Sequence, residues 1–361
     1  MLNWSADQIA DAVDGRWLRP PEGPDHRVRG LTTDTRSEVA GRMFVALRGE
    51  RFDGHDFLDR AAEAGAALLL VDRPDTALPD GCPPVLAVDD SRRALGRLAA
   101  AWRRSLPARV VGITGSCGKT TTKHLVHGVL GAGFRGTAAP ASFNNDIGVP
   151  LTLLAASPHD DYIICEIGMN APGEIAALTA IADPDIAVVT TVGPAHIGAL
   201  GSIEAIRHEK LSLPAGVRTG GTVIVPKWLA GSTRDRIGPG VTLVTFGETN
   251  DADVRIDHWT GEGKCTLNGT SFRLGLPGRH NADNAAAAWA VGLCFGLEPA
   301  VMADALGVVE APTQRMEVVR RGGVTIWNDA YNANPQSMRA ALTTFFAGTS
   351  DATRRWVILG D

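Results

Sequence analysis

A glycine-rich turn near position 115 is the segment with the clearest chemical character. Residues 109–130 read RVVGITGSCGKTTTKHLVHGVL, which is an apolar β-rich run, a turn with two glycines and then a helical segment. Such a turn lets backbone N–H groups face phosphate oxygens at the positive end of a helix. The sequence therefore predicts a phosphate-binding loop between a strand and a helix.

Two side chains after this turn suit a nucleoside triphosphate. Lys119 would neutralise the β- and γ-phosphates, and the Thr120 hydroxyl would coordinate Mg²⁺. The strict G-x-x-x-x-G-K-T pattern fails because its first position is Ile113, so the chain has T-G-S-C-G-K-T instead. Cys117 lies near the helix N-terminus, a place where thiols in some proteins are reactive nucleophiles. We interpret it as a tolerated residue rather than a nucleophile.

A carboxylate and an imidazole follow two other apolar runs. Glu166 follows YIIC, and His196 comes shortly after IAVVTTV. Doubly wound folds bind ligands at the carboxyl ends of their strands, so both side chains are expected near the phosphates as Mg²⁺ ligands. The alternatives are a solvated strand end for Glu166 and an ordinary polar histidine for His196.

Strands and helices alternate around these residues. Residues 107–312 contain four apolar β-rich runs separated by helical segments, and then a long alanine-rich helix in GLPGRHNADNAAAAWAVGLCFGL. The runs are RVVGIT, YIICEIG, IAVVTTV and GTVIVP. This alternation predicts an α/β fold with a doubly wound, mostly parallel sheet that carries helices on both faces.

Two further segments flank this one. Residues 1–106 predict a helix capped by Ser5, strands at MFVALRG, ALLLVDR and PVLAVDD, and a linking helix that stops at Pro107. Residues 313–361 predict a strand (VTIWND), a helix (PQSMRAALTTFF) and a strand (RRWVILGD), which is an incomplete Rossmann-like βαβ unit. A unit of this size is expected either to pack on the preceding domain or to begin a larger one.

Composition narrows the class of protein. The chain has 361 residues, of which 44% are hydrophobic and 21% charged, as in a globular protein of two or three domains. Its net charge of −5 gives no reason to expect nucleic acid as a partner. The cysteines form no C-x-x-C pair, which favours reduced thiols. With neither a signal peptide nor a membrane-spanning run, we expect a cytoplasmic protein without membrane insertion. A monomer is expected as well.

Several ordered motifs resemble those of the Mur ligases, whose folylpolyglutamate synthase relatives share the loop T-G-x-x-G-K-T-T-T. FNNDIGVPLTLL resembles their substrate-facing segment, CEIGMNAPGEI the metal-binding glutamate segment, and VGPAHIGALGSIEAIRHEKLSL the His-and-Lys segment. PGRHNADNAAAA and TQRMEVV resemble the adenine-side elements, and NDAYNANPQSM the signature of members that add D-alanyl-D-alanine. TTDTRSEVAGRMFVALRGERFDGHDFLDRAAEAGA resembles the uridine-nucleotide domain.

The resemblance implies three domains and a set of site residues. A uridine-substrate domain would span 1–106, an ATP-binding ligase domain 107–312, and a partial Rossmann-like domain 313–361. The implied contacts with ATP are Thr114, Gly115, Ser116, Cys117, Gly118, Lys119, Thr120, Thr121, Asn284 and Arg315. The implied Mg²⁺ ligands are Thr120, Glu166, His196 and Lys210, and the implied catalytic residues are Lys119, His196 and Lys210. The implied substrate contacts are Asp34, Arg36, Asn145, Asp329, Tyr331, Asn332 and Asn334.

Some of these assignments have structural alternatives. Arg36 could simply pair with Asp34, Asn145 could belong to a turn, and Arg315 could form an inter-domain salt bridge. Lys210 would carry CO₂ as a carbamate, which requires a neutral amine and therefore a lowered pKa. The alternative for Lys210 is a surface lysine on a helix.

The implied reaction is ATP-dependent addition of D-alanyl-D-alanine to UDP-N-acetylmuramoyl-tripeptide through an acyl phosphate, in peptidoglycan precursor synthesis. The sequence departs from the family pattern at Thr35, Asn328 and Ala171, where serine, aspartate and histidine are common. A complete C-terminal domain of the family continues past V-I-L-G-D, so we expect a truncated domain whose activity is open. The alternatives are a sister ligase with another amino substrate, and a binding-only protein.

Overall fold

The computed structural model describes residues 2–23, 25–73, 75, 78, 81–195, 197–260, 263–349, 351 and 354–360. The chain divides into two compact units. Unit 1 comprises Met1–Val110, Arg135–Cys165 and Ala177–Asp183, and unit 2 comprises Val111–Phe134, Glu166–Ala176 and Pro184–Asp361. Helices and strands are numbered below in chain order.

The first part of unit 1 contains seven short strands and three helices among its described residues. The strands are β1 (Asn3–Ser5), β2 (Arg16–Arg19), β3 (Arg27–Arg29), β4 (Leu31–Thr32), β5 (Met43–Val45), β6 (Leu68–Val71) and β7 (Val85–Ala87). The α-helices are α1 (Ala6–Val13), α2 (Leu58–Glu63) and α3 (Ser91–Ser105), and a 3₁₀ turn precedes α2 at Gly54–Phe57.

The sheet of unit 1 has the order β2-β7-β6-β5-β4, and β1 pairs separately with β3. Its strands run parallel except for the β2–β7 pair. The predicted helix cap is confirmed: Ser5 Oγ accepts a hydrogen bond from the Gln8 backbone N at 3.2 Å, and Gln8 Oε1 accepts one from Ser5 N at 2.9 Å. The predicted strands β5, β6 and β7 and the linking helix α3 are also present.

The following elements begin near the phosphate-binding turn. They are β8 (Arg109–Thr114), α4 (Lys119–Gly131), β9 (Gly136–Ala138), α5 (Gly148–Ala155), β10 (Tyr162–Glu166), α6 (Glu174–Ala182) and β11 (Ile186–Val189). In unit 1, β10 pairs in parallel with β9 through Tyr162–Ile164. In unit 2, β8 pairs in parallel with β11, so two strands that the sequence predicts lie side by side.

The rest of unit 2 extends this sheet. Its helices are α7 (Ile197–Leu200), α8 (Ile203–Lys210), α9 (Ser212–Ala215), α10 (Ala230–Arg234), α11 (Arg279–Cys294) and α12 (Pro299–Val308), with a 3₁₀ turn at Lys227–Leu229. Its strands are β12 (Thr222–Pro226), β13 (Thr242–Gly247), β14 (Val254–Trp259), β15 (Lys264–Leu267) and β16 (Thr270–Arg273). The order of the unit 2 strands is β16-β15-β14-β13-β12-β11-β8, parallel from β8 to β14 and antiparallel beyond.

The α/β fold with a mostly parallel central sheet is thus confirmed, although the sequence did not indicate β13 to β16. The β15–β16 hairpin turns at Asn268 and Gly269, which have φ of 44° and 81°. An Asn-Gly pair between short β-rich runs is a known hairpin signal and could have revealed this element. None of the helices in the described part of the chain has the length and apolar character that crossing a membrane requires.

The last segment differs from its prediction. An antiparallel hairpin, β17 (Glu317–Arg321) with β18 (Val324–Asn328), precedes α13 (Pro335–Gly348). The strand predicted from RRWVILGD is wrong for the described residues 354–360, which form no strand and expose Trp356 and Ile358. A strand needs a neighbour for its backbone hydrogen bonds, and the described residues supply none there.

Candidate functional site

The phosphate-binding turn lies between β8 and α4, as its sequence predicts. Gly118 is the residue before α4 and has φ of 83°, a left-handed conformation that favours glycine. A Cβ atom at position 118 would lie 2.6 Å from Asn284 Oδ1, and one at Gly115 would collide with the Thr190 hydroxyl. Both glycines are therefore required by close packing as well as by backbone conformation.

The segment after β11 holds the turn in place. The Ser116 backbone N donates to Thr191 O at 2.8 Å, and Ser116 Oγ donates to Gly193 O at 3.0 Å. Gly193 N donates back to Ser116 Oγ at 2.9 Å, and the Thr190 hydroxyl donates to the Cys117 carbonyl. These bonds fix the loop before any ligand binds, so its backbone N–H groups need little rearrangement to meet phosphate oxygens.

Lys119 lies across the turn. Its Nζ donates to the Gly115 carbonyl at 2.9 Å. Burial lowers the pKa of Lys119, and the neighbouring Glu166 carboxylate partly opposes that shift. A phosphate in the turn would therefore meet a nearby ammonium that is already confined to the loop.

Glu166 points toward the first turn of α4. Its Oε2 accepts a hydrogen bond from Thr120 Oγ1 at 3.0 Å and lies 3.3 Å from Lys123 Nζ. The side chains of Glu166 and Lys123 are only 1% and 4% exposed, so the solvated-strand-end alternative for Glu166 is wrong. The sequence reasoning did not identify Lys123. Its position three residues after Thr120 was the available signal, because residues at that spacing share a helix face.

The donors around Glu166 suit Mg²⁺. A hydroxyl and a carboxylate are hard oxygen ligands, and Mg²⁺ commonly takes one or two carboxylates together with substrate phosphates. Within the described ranges, no group of three or more His, Cys, Asp and Glu side chains could hold a metal ion without other ligands. His196 lies outside the described residues.

Lys210 is buried at the end of α8, with 1% of its surface exposed. The surface-lysine alternative is therefore wrong. Burial, assisted by the charge of Lys119, lowers the pKa of Lys210 to about 7, while Glu209 opposes the shift. Glu209 itself accepts hydrogen bonds from Gly173 N and Ile175 N at 3.0 Å each, which anchors the end of α8 to the start of α6.

Asn284 lies on the face of α11 that meets α4. Its Oδ1 accepts a hydrogen bond from Thr122 Oγ1 at 3.1 Å, and its Nδ2 donates to Asn281 Oδ1 at 2.9 Å. Asn281 Nδ2 in turn donates to the Pro277 carbonyl at 2.6 Å. This buried chain of amides packs against the start of α4, next to Gly118 of the phosphate loop.

The last segment brings further predicted residues toward the loop. Asn334 caps α13 and donates through Nδ2 to Cys117 Sγ at 3.2 Å. The Arg315 guanidinium lies 4.0 Å from the centre of the Tyr331 ring, so its described partner is aromatic. Asp329 Oδ1 accepts from Met316 N at 3.0 Å, and burial raises the Asp329 pKa. Asn332 is exposed and accepts from Ala333 N at 2.9 Å.

The remaining predicted residues lie in unit 1. Arg36 and Asp34 form an exposed ion pair at 2.8 Å, and hydrogen bonds from Arg36 lower the Asp34 pKa to about 2. Asn145 Oδ1 accepts from Gly148 N at 2.9 Å and from Ile147 N at 3.3 Å, at the start of α5. The ion pair of Arg36 and the turn contacts of Asn145 are therefore both present. The two side chains are also exposed, so each is accessible to a ligand.

Three family models match the chain in order. The model described as "Mur ligase family, catalytic domain" matches residues 27–103, and "Mur ligase middle domain" matches residues 113–292. The model described as "Mur ligase, glutamate ligase domain" matches residues 314–361. Together these matches leave few residues of the chain unassigned.

Relatives and solved structures agree with these models. The UDP-N-acetylmuramoyl-tripeptide--D-alanyl-D-alanine ligase of Bacillus subtilis is 37% identical over 100% of this chain and 79% of its own length. The Synechocystis protein of the same name is 40% identical over 93% of this chain and 73% of its own. A crystal structure of MurF from Acinetobacter baumannii superposes with a TM-score of 0.87 at 30% identity, covering 96% of this chain and 77% of that one. MurF from Thermotoga maritima, in complex with ADP, gives a TM-score of 0.78 at 27% identity. The match covers 89% of this chain and 75% of that one.

Proposed function

The chain belongs to the Mur ligase family, and we propose that it adds D-alanyl-D-alanine to UDP-N-acetylmuramoyl-tripeptide with ATP. The observation that carries this proposal is the convergence of Thr120, Glu166 and Lys123 beside a preformed phosphate loop. The names of the relatives supply the substrates. The reaction belongs to peptidoglycan synthesis and cell-wall biogenesis.

The chemistry of the proposed reaction needs two bond-forming steps. The terminal carboxylate of the tripeptide attacks the γ-phosphorus of ATP, which gives an acyl phosphate and ADP. The amine of D-alanyl-D-alanine then attacks the acyl carbon, and inorganic phosphate leaves. Because the reacting groups are charged, much of the acceleration would come from positioning and from charges already in place.

In this proposal the residues of unit 2 bind ATP. The backbone of Thr114, Gly115, Ser116, Cys117, Gly118 and Thr121 would surround the phosphates, with Lys119 contributing its charge. Thr120, Glu166, His196 and Lys210 would hold Mg²⁺, which when bound neutralises phosphate charge. Arg315 would contact the nucleotide, and Asn284 would act through Gly118 and Thr122, which it touches.

Lys210 has a special role in the proposal. With its pKa lowered to about 7, a large fraction of Lys210 is a neutral amine at neutral pH, and only a neutral amine reacts with CO₂ to form a carbamate. A carbamate would place an anion where the free lysine carries an amine with a lowered pKa. An anion there suits a site that holds a divalent cation.

The substrate contacts are proposals of the same kind. Asp34, Arg36 and Asn145 in unit 1 would contact the UDP-muramoyl substrate, and Asp329, Tyr331, Asn332 and Asn334 the dipeptide. The domains would span 1–106, 107–312 and 313–361, and the family models at 27–103, 113–292 and 314–361 support these limits. We also propose a monomer in the cytoplasm.

A coupled assay tests the proposed activity. We expect phosphate release only when UDP-tripeptide, ATP and D-alanyl-D-alanine are all present, with the pentapeptide product identified by mass spectrometry. Diaminopimelate, lysine and glutamate serve as competing amines and test a sister ligase. ADP binding without any turnover would instead favour a binding-only protein.

A Lys210→Ala variant tests the proposed carbamate within the same assay. We expect activity to fall by about 10²-fold or more, as when one group that stabilises transition-state charge is removed from an active site. Short carboxylic acids should partly restore it by supplying the missing anion. A fully active Lys210→Ala enzyme would refute the role.

A further inference from the structure

Lys123 stands outside the phosphate-loop pattern, yet it contacts the carboxylate that the loop faces. Thr120 and Lys123 lie three residues apart on α4 and therefore project from the same helix face. Their side chains approach the same atom, Oε2 of Glu166, at 3.0 Å and 3.3 Å. One oxygen of the carboxylate thus lies beside a hydroxyl and an ammonium from a single helix.

The burial of the pair gives this contact its importance. With the two side chains only 4% and 1% exposed, neither charge is solvated well enough to be stable alone. An ammonium has no lone pair, so Lys123 cannot itself be a metal ligand. What it does supply is a fixed partner that sets the orientation of the Glu166 carboxylate.

Lys119 and Lys123 have different partners. Lys119 Nζ donates to the Gly115 carbonyl within the loop, whereas Lys123 Nζ pairs with the Glu166 carboxylate. The lysine of the G-K-T pattern thus faces the phosphate position, and the lysine one turn later faces the carboxylate. The contacts of the two lysines therefore differ, although the Glu166 carboxylate also influences the pKa of Lys119.

We propose that Lys123 is a positioning residue that holds the Glu166 carboxylate in the orientation needed for the Mg²⁺–nucleotide complex. The inference rests on the proposed function, because it assumes that Mg²⁺ and a nucleotide bind at this loop. Groups that orient a metal ligand through hydrogen bonds commonly change metal affinity by about 10–100-fold when they are removed. Lys123 is expected to act with a similar magnitude.

The test measures ADP binding to the full chain by calorimetry across a series of Mg²⁺ concentrations. Lys123→Met and Lys123→Gln should each raise the Mg²⁺ concentration needed for half-maximal ADP affinity by about 10–100-fold. Lys123→Arg, which keeps the charge, should restore it to within several-fold. Lys264→Met, at an exposed lysine of β15, is the matched control and should behave as the wild type.

Kinetics provide a second measurement. Lys123→Gln should lower kcat while leaving the KM for D-alanyl-D-alanine unchanged, because the Glu166 side chain would be misplaced rather than the dipeptide site. Lys123→Gln also decides the matter if Lys123→Met does not fold, since its side chain is polar but lacks the charge and the length with which Lys123 pairs with Glu166.

Two results would overturn the inference. A folded Lys123→Gln protein with wild-type Mg²⁺ dependence would make the pair merely structural. If a Lys123 variant instead needed less Mg²⁺ than the wild type for half-maximal ADP affinity, Lys123 would only repel the cation. If the wild-type chain itself shows no Mg²⁺-dependent ADP binding, the proposed function fails, which separates that failure from failure of the role of Lys123.

Discussion

Asn284 lies directly against the glycine that precedes helix α4. Its Oδ1 would be 2.6 Å from a Cβ atom placed on Gly118, which is closer than carbon and oxygen approach without a shift of the surrounding structure. The same oxygen accepts a hydrogen bond from Thr122 Oγ1. The buried side-chain amide of Asn284 thus joins α11 to the phosphate loop and to α4.

Replacing Gly118 with alanine should weaken nucleotide binding as well as stability. The left-handed backbone alone costs a non-glycine residue about 1–2 kcal/mol, and the clash with Asn284 adds to that cost. We expect ADP affinity in calorimetry to fall by at least about tenfold, since a displaced loop no longer presents its N–H groups correctly.

The matched control for Gly118→Ala is Gly269→Ala. Gly269 has φ of 81°, so it shares the backbone strain, but nothing lies within 4 Å of its Cβ position. The control should lose stability and keep its ADP affinity. Equal ADP affinities for the two variants would contradict the role of the Asn284 contact.

Replacing Thr122 with valine should destabilise the chain through Asn284. The substitution conserves volume but removes the donor to Asn284 Oδ1, which is buried and would be left without this partner. A loss of about 1–3 kcal/mol in the free energy of unfolding is expected in urea titrations. Thr242→Val, at an exposed position in β13, should change it by less than about 0.5 kcal/mol.

Lys210 should make stability depend on pH. Its pKa is lowered to about 7 in the folded chain, from a usual value of 10.5, so between these values the unfolded chain binds more protons. The contribution of Lys210 to the free energy of unfolding should therefore rise as pH increases from about 7 toward 10, and should be constant below pH 7.

Urea unfolding in EDTA, at pH 6.5 and pH 9, measures this dependence. Relative to Lys210→Met, the wild type should have a higher free energy of unfolding at pH 9 than at pH 6.5. Lys264→Met, which removes an exposed lysine, should show the same difference at both values. If the difference in the free energy of unfolding between the wild type and Lys210→Met did not change with pH, the Lys210 amine would not be buried as the structure shows.

Alkylation of Cys117 should block nucleotide binding. Cys117 and Cys294 are the partly exposed cysteines of the described chain, whereas Cys82, Cys165 and Cys265 are buried. An adduct on Cys117 would occupy the loop where phosphate is proposed to bind. N-ethylmaleimide should therefore abolish ADP binding in a Cys294→Ser background, and ADP should slow the labelling.

Cys117→Ser in the same background provides the control. It should bind ADP as the parent does and resist the reagent, because the thiol is interpreted as a tolerated residue rather than a nucleophile. Unchanged ADP binding after labelling of Cys117, verified by mass spectrometry, would argue against phosphate binding in this turn.

Local sequence sufficed for much of the site. A strand, a glycine turn and a helix in succession predicted the phosphate loop at Gly115 and Gly118, since backbone conformation there depends mainly on neighbouring residues. The position of Glu166 at the end of a predicted strand also placed it correctly at the sheet edge. The Asn268–Gly269 hairpin carries a similar local signal in its Asn-Gly pair.

Other features depended on residues far apart in the chain. In sequence, the spacing of Lys123 from Thr120 places both on one helix face, but the pairing of Lys123 with Glu166 depends on the tertiary structure. The burial that lowers the pKa of Lys210, and the contact of Asn284 with Gly118, likewise join distant segments. Strand formation at 354–360 failed for a related reason, because apolar β-rich residues form a strand only beside a partner.

By itself, the sequence determined the family, the α/β alternation and the identity of the loop that faces phosphate. Those properties follow from residue types and short spacings, which act within one strand, turn or helix. Only the tertiary structure decided which charges are buried together and which side chain supports which. Desolvation and pairing depend on packing between segments, and that is why the sequence did not predict the contact of Lys123 with Glu166.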